Sequence, residues 1–292
     1  MVRLALPTGS LEETVLALFR AADLPVRRSA PRALRAQVGY PGVAGAEFHK
    51  AREIPPLVEN GSVDAGITGS EWIEETGAKV DVVGGLAPAG IGSRRWRLVL
   101  AAAEGGPASS VGDLDGARVA TEYPAITRRF LRDHGVRAEI VRSYGATEAK
   151  VPHLAEAIVD VVETGESLRQ NGLRALATVR VCGLQVVASR EVLVDESRRA
   201  VVAGMVSLLD AAHAAREHRL LTVLVPVERL PEVEALLPAR RWRLDRGGSR
   251  PEGTVAVQAV CEVEGIAAAV SALRAAGAAA VVETAIHRLV TA

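Results

Sequence analysis

The sequence predicts an α/β fold in which short strands alternate with amphipathic helices. Apolar runs rich in Val, Leu and Ala recur along the chain, and most of them end in a glycine turn that leads into a helical pattern. Hydrophobic residues make up 49% of the chain, which is enough for a sizeable core. This alternation favours mostly parallel sheets, in which the loops at the carboxyl ends of the strands bind ligands.

Each element of the first part follows from its local pattern. VRLALP (2–7) is predicted as a buried strand, residues 9–10 as a turn, and residues 11–24 as an amphipathic helix. The next predicted elements are a helix at 51–61, a strand, glycine turn and helix at 63–77, strands at 95–103 and 117–124, a helix at 125–135, a strand at 138–145, and a strand at 155–165 that runs into a helix.

The pattern changes near the end of the chain. Residues 180–193 are predicted as one strand and residues 197–219 as a long helix. Residues 221–244 and 254–289 each follow a strand, helix, strand order. Two such units predict a small open-faced sandwich of the ferredoxin or ACT type.

Charge and composition exclude several classes of function. The 35 basic and 35 acidic residues cancel, so the chain has no general attraction to nucleic acid or to an anionic membrane. Cys182 and Cys261 lie far apart in apolar runs, so we expect buried, reduced thiols in a cytoplasmic protein. The start MVRLALPTGS has no long apolar run, so we expect no signal peptide.

The segment DVVETGESL (160–168) is a candidate phosphate-binding loop. Thr164 and Ser167 supply hydroxyls, Gly165 lets the backbone approach a ligand closely, and a helix start attracts a phosphate dianion. Asp160 and Glu156 are placed to accept hydrogen bonds from ribose hydroxyls near that phosphate. An ordinary helix start with a threonine N-cap would produce the same local pattern.

Other polar turns are predicted at strand ends, where an α/β cleft is built. ALPTGSL (5–11) and GITGSEW (66–72) are glycine turns, and VATEYP (119–124) puts Tyr123 where its ring would face a purine. GSRRWRLVLA (92–101) brings three arginines to the start of a strand. Turn chemistry, packing or solvated charge would explain each one singly, but their joint occurrence favours a ligand cleft.

Together these segments resemble the long form of the ATP phosphoribosyltransferase family, whose members begin histidine biosynthesis. The matching segments, in family order, are ALPTGSL, EIPPLVENGSVDAGITG, RWRLVLA, ATEYP and EAIVDVVETGESL. The resemblance runs from residue 2 to about residue 176 and resumes at ERLPEVEALLP (228–238). This ordered set is far more specific than any single glycine loop.

The resemblance implies a two-lobed catalytic part, built like a type II periplasmic binding protein, followed by an ACT-like domain. The implied limits are residues 1–95 and 179–217 for lobe I, residues 96–178 for lobe II, and residues 219–292 for the third domain. It also implies a homo-oligomer, either a dimer or a hexamer.

The implied reaction joins N1 of the adenine of ATP to C1 of phosphoribosyl pyrophosphate, with Mg²⁺ on the pyrophosphate oxygens and no covalent intermediate. Asp160 and Arg97 would be the catalytic residues. The implied donor site consists of Glu156, Asp160, Glu163, Thr164, Gly165, Glu166 and Ser167. The implied ATP site consists of Thr8, Gly9, Ser10, Arg52, Thr68, Gly69, Glu71 and Tyr123.

Three departures from the family pattern bear on function. Thr8 and Ser10 stand where the first loop of the family has a Lys and often an Arg, so Arg94 or Arg95 would have to compensate. Glu156 replaces an Asp, in a slightly shortened run before the phosphate strand. ALLPARRWRLDRGG replaces a Ser-Pro-Thr-like stretch that the family ties to inhibition by histidine.

These departures leave alternatives open. The protein would serve histidine biosynthesis, or it would be a paralogue in a specialised pathway, such as one that makes a purine-derived nucleoside antibiotic, with ATP or another nucleotide as acceptor. A solute-binding protein and a catalytically silent regulatory subunit share the fold. Asp160 and the TGES sequence favour the transferase.

Overall fold

The computed structural model describes residues 1–85, 96–238, 241–244 and 253–290. The chain forms two compact units, Met1–Val206 and Ser207–Ala292. Within the described residues, every helix is too short or too polar to cross a membrane. Arg94 and Arg95, which were expected to compensate for missing cations, lie outside the described residues.

The first unit is built on two mixed sheets. Its strands are β1 Val2–Thr8, β2 Val26–Arg28, β3 Arg35–Val38, β4 Val43–Lys50, β5 Ala65–Gly69, β6 Asp81–Gly85, β7 Trp96–Ala103, β8 Arg118–Thr121, β9 Glu139–Arg142, β10 Ala157–Val162, β11 Leu173–Cys182 and β12 Leu184–Ala188. The seven-stranded sheet has the order β2-β3-β4-β1-β5-β12-β6, and the five-stranded sheet has the order β11-β7-β10-β8-β9. We call the parts built on these two sheets lobe I and lobe II.

Short helices cover the sheets. They are α1 Glu12–Ala21, α2 Ile54–Glu59, α3 Ser70–Thr76, α4 Pro124–Asp133, α5 Glu166–Gln170, α6 Arg190–Val194 and α7 Glu196–Arg216. In α1, Val15, Leu18 and Phe19 are buried, which is the spacing of one apolar helix face. The central strand β1 is buried at all but its second and last residues, as expected for a strand covered on both faces. The boundary between the two units falls inside α7.

The chain passes from one lobe to the other twice. It leaves lobe I after β6 and enters lobe II at β7, and it returns between Cys182 of β11 and Leu184 of β12. The return point is held by Ser70, whose backbone N–H donates to the carbonyl of Gly183 at 2.8 Å. Two lobes joined by two crossings are the arrangement expected from the resemblance, and the predicted fold class is confirmed.

The second unit is a four-stranded antiparallel sheet with two helices. Its elements are β13 His218–Pro226, α8 Leu230–Leu236, β14 Arg241–Leu244, β15 Thr254–Glu262, α9 Ile266–Ala275 and β16 Ala280–Ala285. The strand order is β14-β15-β13-β16, which is the ferredoxin-like order predicted from the two strand, helix, strand units. Leu221, Val223, Val233, Val257 and Leu273 lie at the centre of its core.

Two expectations about elements are wrong, and three strands were not predicted. The sheets are not mostly parallel, because β12 is antiparallel to β5 and β6, and β7 is antiparallel to β10 and β11. Residues 180–193 are not one strand, because Gly183 separates two strands of different sheets and α6 begins at Arg190. Residues 26–50, for which no element was predicted, form β2, β3 and β4.

Candidate active site

A cavity of about 390 Å³ opens between the two lobes at the ends of their strands. Lobe I supplies Thr8, Gly9, Ser10, Leu11, Lys50, Ala51, Arg52, Glu71 and Trp72, and lobe II supplies Trp96, Glu122, Tyr123, Tyr144, Val161 and Glu163. The sequence predicted seven of these as ligand residues: Thr8, Gly9, Ser10, Arg52, Glu71, Tyr123 and Glu163. The cavity is therefore the candidate active site.

The lobe I wall combines a polar turn with two cations. Strands β1 and β4 are parallel, and Thr8 at the end of β1 pairs with Lys50 at the end of β4. The hydroxyl of Thr8 donates to the carbonyl of His49 at 3.2 Å, and Gly9 takes a left-handed conformation with φ of +84°. Lys50 and Arg52 thus stand beside the first loop, which itself lacks the cations of the family pattern. Lys50 was not among the ligand residues predicted from the sequence, because β4 was not predicted.

Three buried aromatic rings, those of Trp72, Trp96 and Tyr123, contribute to the apolar part of the cavity. The rings of Trp72 and Tyr123 meet with their centroids 4.5 Å apart and their planes tilted by 35°. Both side chains and that of Trp96 are buried, so their faces and edges line the cavity rather than the outer surface. Aromatic rings at this spacing provide a surface suited to a flat heteroaromatic group.

Contacts between α3 and α4 hold the two walls of the cavity in place. The carboxylate of Glu75 in α3 accepts hydrogen bonds from the backbone N–H groups of Ala125 and Ile126 at 3.0 Å, and so caps the first turn of α4. Glu74 pairs with Arg129 of α4 and with Arg180 of β11. These contacts tie lobe I to lobe II directly behind Trp72 and Tyr123.

Glu71 is a buried carboxylate in the cavity wall. Its residue is only 2% exposed, and the side chains of Trp96 and Cys182 hydrogen-bond to it. Burial raises its pKa from 4.5 to about 7, although hydrogen bonds from its own backbone, Trp96 and Cys182 oppose the shift. A group with this pKa changes its protonation state near neutral pH.

Thr68 and Gly69 lie behind the cavity lining rather than in it. Thr68 is fully buried, and its hydroxyl donates to the carbonyl of Ala51 at 2.7 Å. This contact fixes the turn that carries Lys50 and Arg52. Gly69 leaves room for a carboxylate, since a Cβ atom there would lie 2.1 Å from Oε1 of Glu71.

The candidate phosphate loop connects β10 to α5. Val162 and Leu168 are buried at its two ends, while the side chains of Glu163, Thr164, Glu166 and Ser167 are exposed. Gly165 has a φ of +81°, a conformation that other residues adopt only with strain. Helix α5 has only five residues, so its dipole is weaker than the sequence argument assumed. Because Glu163 also lines the cavity, the loop and the cavity are adjacent.

Asp160 lies on β10 just before this loop. Burial raises the pKa of Asp160 from 3.8 to about 6, and the negative charge of Glu148 adds to this increase. The backbone N–H of Val161 donates a hydrogen bond of 2.7 Å to the carboxylate, which opposes the increase. Ser167 of the loop donates a hydrogen bond of 2.5 Å to that same Glu148. An acidic pocket with a half-buried carboxylate therefore lies next to the candidate phosphate loop.

Glu156 does not belong to this site, contrary to the sequence prediction. It precedes β10 at the end opposite to the loop, about 20 Å away along a strand of six residues. Its carboxylate accepts hydrogen bonds from the backbone N–H and guanidinium of Arg118 at 2.7 and 2.6 Å, and these contacts lower its pKa to about 2. Glu156 thus joins the amino ends of β8 and β10.

Arg97 has an exposed side chain on β7. Successive side chains of a strand point to opposite faces, so Arg97 lies on the other face of the sheet from Trp96, which lines the cavity. Arg97 pairs with Val162 of β10 and is therefore close to the candidate phosphate loop rather than to the aromatic rings. Its predicted catalytic role stays a prediction.

A larger cavity of about 630 Å³ lies at the amino end of β1. Arginines line it, but Arg3 pairs with Asp64, Arg28 with Glu12 and Arg35 with Glu47. Most of its positive charge is therefore neutralised within the protein. The described residues contain no cluster of three His, Cys, Asp or Glu side chains that would hold a metal ion.

Family models and relatives match nearly the whole chain. The model described as ATP phosphoribosyltransferase (HisG) matches residues 50–210, and the model described as HisG, C-terminal domain, matches residues 215–288. The ATP phosphoribosyltransferase of Pelotomaculum thermopropionicum is 37% identical over 286 residues, which cover 97% of this chain and 96% of that protein. The one from Halobacterium salinarum is 38% identical over 292 residues, which cover 99% and 100% of the two chains.

A solved structure is similar in fold. The ATP phosphoribosyl transferase (HisG:HisZ) complex from Thermotoga maritima contains a chain that aligns with a TM-score of 0.59 and 23% identity, over 72% of this chain and 98% of that one. The matched family model covers more than half of the sequence, and relatives above 30% identity cover nearly all of it. The chain therefore belongs to the ATP phosphoribosyltransferase family.

Proposed function

We propose that this protein joins N1 of the adenine of ATP to C1 of phosphoribosyl pyrophosphate and releases pyrophosphate, as the first step of histidine biosynthesis. One observation carries the proposal: an aromatic cavity with two cations on one wall borders, at Glu163, a glycine loop that follows a half-buried aspartate. The cavity suits a purine nucleotide, and the loop suits a sugar phosphate.

ATP, the acceptor of the ribosyl group, binds in the cavity between the lobes. The purine lies against Trp72, Trp96 and Tyr123, which supply the flat apolar surface that base stacking requires. The triphosphate extends toward Lys50 and Arg52 and toward the turn at residues 8–10. Those two cations replace the Lys and Arg that the family pattern places in the first loop.

The donor side takes phosphoribosyl pyrophosphate. Thr164, Glu166, Ser167 and the backbone at Gly165 surround the 5-phosphate, and Asp160 accepts hydrogen bonds from the ribose hydroxyls. Mg²⁺ would be held mainly by oxygen atoms of the donor's pyrophosphate group. When bound, the ion neutralises charge on the leaving pyrophosphate.

Catalysis proceeds by positioning and by charge neutralisation. The protein holds N1 of the purine in line with the C1–O bond that breaks. Because binding has already brought the two substrates together, that entropy cost no longer adds to the reaction barrier, and this accounts for a large part of the rate increase. The carboxylate of Asp160 stabilises the positive charge that develops on the ribose ring. Arg97 assists from the end of β7 beside the phosphate loop.

The domains divide the work as the resemblance implies. Both lobes contribute to the acceptor site, lobe II carries the donor loop, and the third domain (219–292) is regulatory. The enzyme works in the cytoplasm as a homo-oligomer, either a dimer or a hexamer.

A panel of complete and incomplete reactions tests this function. The protein is mixed with ATP, phosphoribosyl pyrophosphate and Mg²⁺, and each component is omitted in turn, with mass spectrometry as the readout. We expect phosphoribosyl-ATP only in the complete mixture and far less product when GTP replaces ATP. No product at high enzyme concentration would rule the proposal out.

A further inference from the structure

Glu71 has an acceptor atom that the protein leaves without a partner. The residue is 2% exposed, yet its Oε2 atom has no hydrogen-bond partner among the described residues. The groups that hydrogen-bond to this carboxylate are its own backbone and the side chains of Trp96 and Cys182, and none of them carries a positive charge. A buried carboxylate oxygen without a hydrogen bond costs free energy unless a bound ligand donates one to it.

The position of Glu71 indicates which ligand atom completes it. Glu71 lines the cavity together with Trp72, Trp96 and Tyr123, the rings against which a purine would lie. An adenine base that carries its ribose has one kind of N–H donor, the exocyclic amine at C6. The exocyclic amine can therefore donate the hydrogen bond that the carboxylate of Glu71 lacks. This amine is attached to C6, the carbon next to N1.

We propose that Glu71 accepts a proton from the exocyclic amine of the purine while N1 forms its bond to the ribosyl carbon. The inference rests on the proposed function. The lone pair of N1 forms the N1–C1 bond, and the electrons of the C1–O bond leave with pyrophosphate. The purine then carries a positive charge shared between N1 and the amine. Transfer of one N–H proton to Glu71 leaves a neutral imine.

The charges around Glu71 allow this transfer near neutral pH. Burial raises the pKa of Glu71 to about 7, which places it in the range where a general base is effective. Tyr123 and Cys182 face it, and burial raises the pKa of each above its usual range, so both stay neutral. The other charged side chains that line the same cavity are those of Lys50, Arg52, Glu122 and Glu163.

The test compares Glu71→Gln with Glu13→Gln in single-turnover reactions followed by quenched-flow mass spectrometry. Glu13 is the matched control, because its side chain is 78% exposed on α1 and loses the same charge. We expect Glu71→Gln to slow product formation about 100-fold at pH 8, the usual size of a general-base effect. We also expect the rate of the wild type, but not of this variant, to fall as the pH drops below about 7.

A second acceptor separates proton transfer from a structural role. Purine riboside triphosphate keeps N1 but lacks the exocyclic amine, so Glu71 has no proton to accept. We expect the variant and the wild type to use it at similar rates. Equal slowing with both acceptors, or a variant that uses ATP at the wild-type rate and pH dependence, would overturn the inference. If the wild type forms no product from ATP, the proposed function fails instead.

Discussion

The carboxylate of Glu71 folds back against Gly69, so closely that a Cβ atom at position 69 would lie 2.1 Å from Oε1 of Glu71. The backbone of Gly69 has φ of −78° and ψ of 143°, which an alanine adopts without strain. Glycine at this position is therefore required by the side chain that it faces and not by its own conformation.

Replacing Gly69 by Ala should move the carboxylate of Glu71 while leaving the fold almost intact. The atom that must shift is the end of a flexible side chain, so we expect the free energy of unfolding to change by less than about 1 kcal/mol. We expect the single-turnover rate with ATP to fall at least about tenfold, since small misplacement of a reacting group is costly. Wild-type turnover in Gly69→Ala would show that the position of Glu71 does not matter.

Replacing Asp160 by Asn should stabilise the protein and impair donor use. The pKa of Asp160 is raised from 3.8 to about 6 in the folded state, so stability falls as pH rises through that range. We therefore expect Asp160→Asn to gain about 1 kcal/mol at pH 8 and nothing below pH 4. We expect its kcat/KM for phosphoribosyl pyrophosphate to fall about tenfold to hundredfold.

Glu156→Gln is the control for Asp160→Asn, because both changes turn an acid on the same segment into an amide. Glu156 pairs with Arg118 at the far end of β10. We expect its kcat/KM for the donor to equal that of the wild type. A large loss of donor use in Glu156→Gln, measured in the same assay, would reinstate Glu156 as a ribose ligand.

Replacing Lys50 by Met should weaken ATP binding. Lys50 stands beside Thr8 at the ends of two parallel strands, and both residues line the cavity. We expect KM for ATP to rise about tenfold and KM for the donor to stay constant, since one charge-assisted contact is lost. Lys79→Met removes an exposed lysine that does not line the cavity and should leave both constants unchanged.

Replacing Asp64 by Asn should destabilise lobe I. The side chain of Asp64 is 5% exposed and bonds to the backbone N–H of Arg3 at 2.7 Å and to the guanidinium of Arg198 at 3.0 Å. We expect a loss of about 3 kcal/mol at pH 7 in denaturant unfolding, because Arg3 loses its ion pair with Asp64 and Arg198 loses one of its two carboxylate partners, Asp64 and Asp195. The exposed pair of Glu13 and Arg20 is the control, and Glu13→Gln should change stability by less than about 1 kcal/mol.

The stability loss in Asp64→Asn should depend on pH in a defined direction. Burial alone would raise the pKa of Asp64, but its hydrogen bonds with Arg3 outweigh burial and lower it below 3.8. The stabilising contribution is therefore present above about pH 4 and is lost as the pH falls through the folded-state pKa. A difference between variant and wild type that stays constant down to strongly acid pH would contradict this assignment.

The sequence predicted the elements with a clear local period and missed those held by distant contacts. Strands such as β1 and β10 are runs of buried residues, so their patterns were sufficient. Strand β4 contains the three small residues Ala44, Gly45 and Ala46 and has a polar end, and it forms because β1 lies beside it. The break at Gly183 was missed because the residues on both sides are apolar strand formers that belong to different sheets.

The difference between local sequence pattern and distant contacts also explains which site residues could be predicted from the sequence. The first glycine turn, Glu71 and Tyr123 are marked by local sequence, and they line the cavity. Lys50 has no local signal; the parallel pairing of β1 with β4 brings it to Thr8. Glu156 was misassigned because it is close to Asp160 in sequence, whereas an extended strand carries it away from the loop.

The position of the new bond in the product tests the central claim most directly. The product made from ATP and phosphoribosyl pyrophosphate is isolated, and NMR correlates the ribosyl C1–H with the purine nitrogens. We expect the ribosyl carbon to be attached to N1, with pyrophosphate released in equal amount. Attachment at any other nitrogen, or donor hydrolysis without transfer to ATP, would contradict the claim.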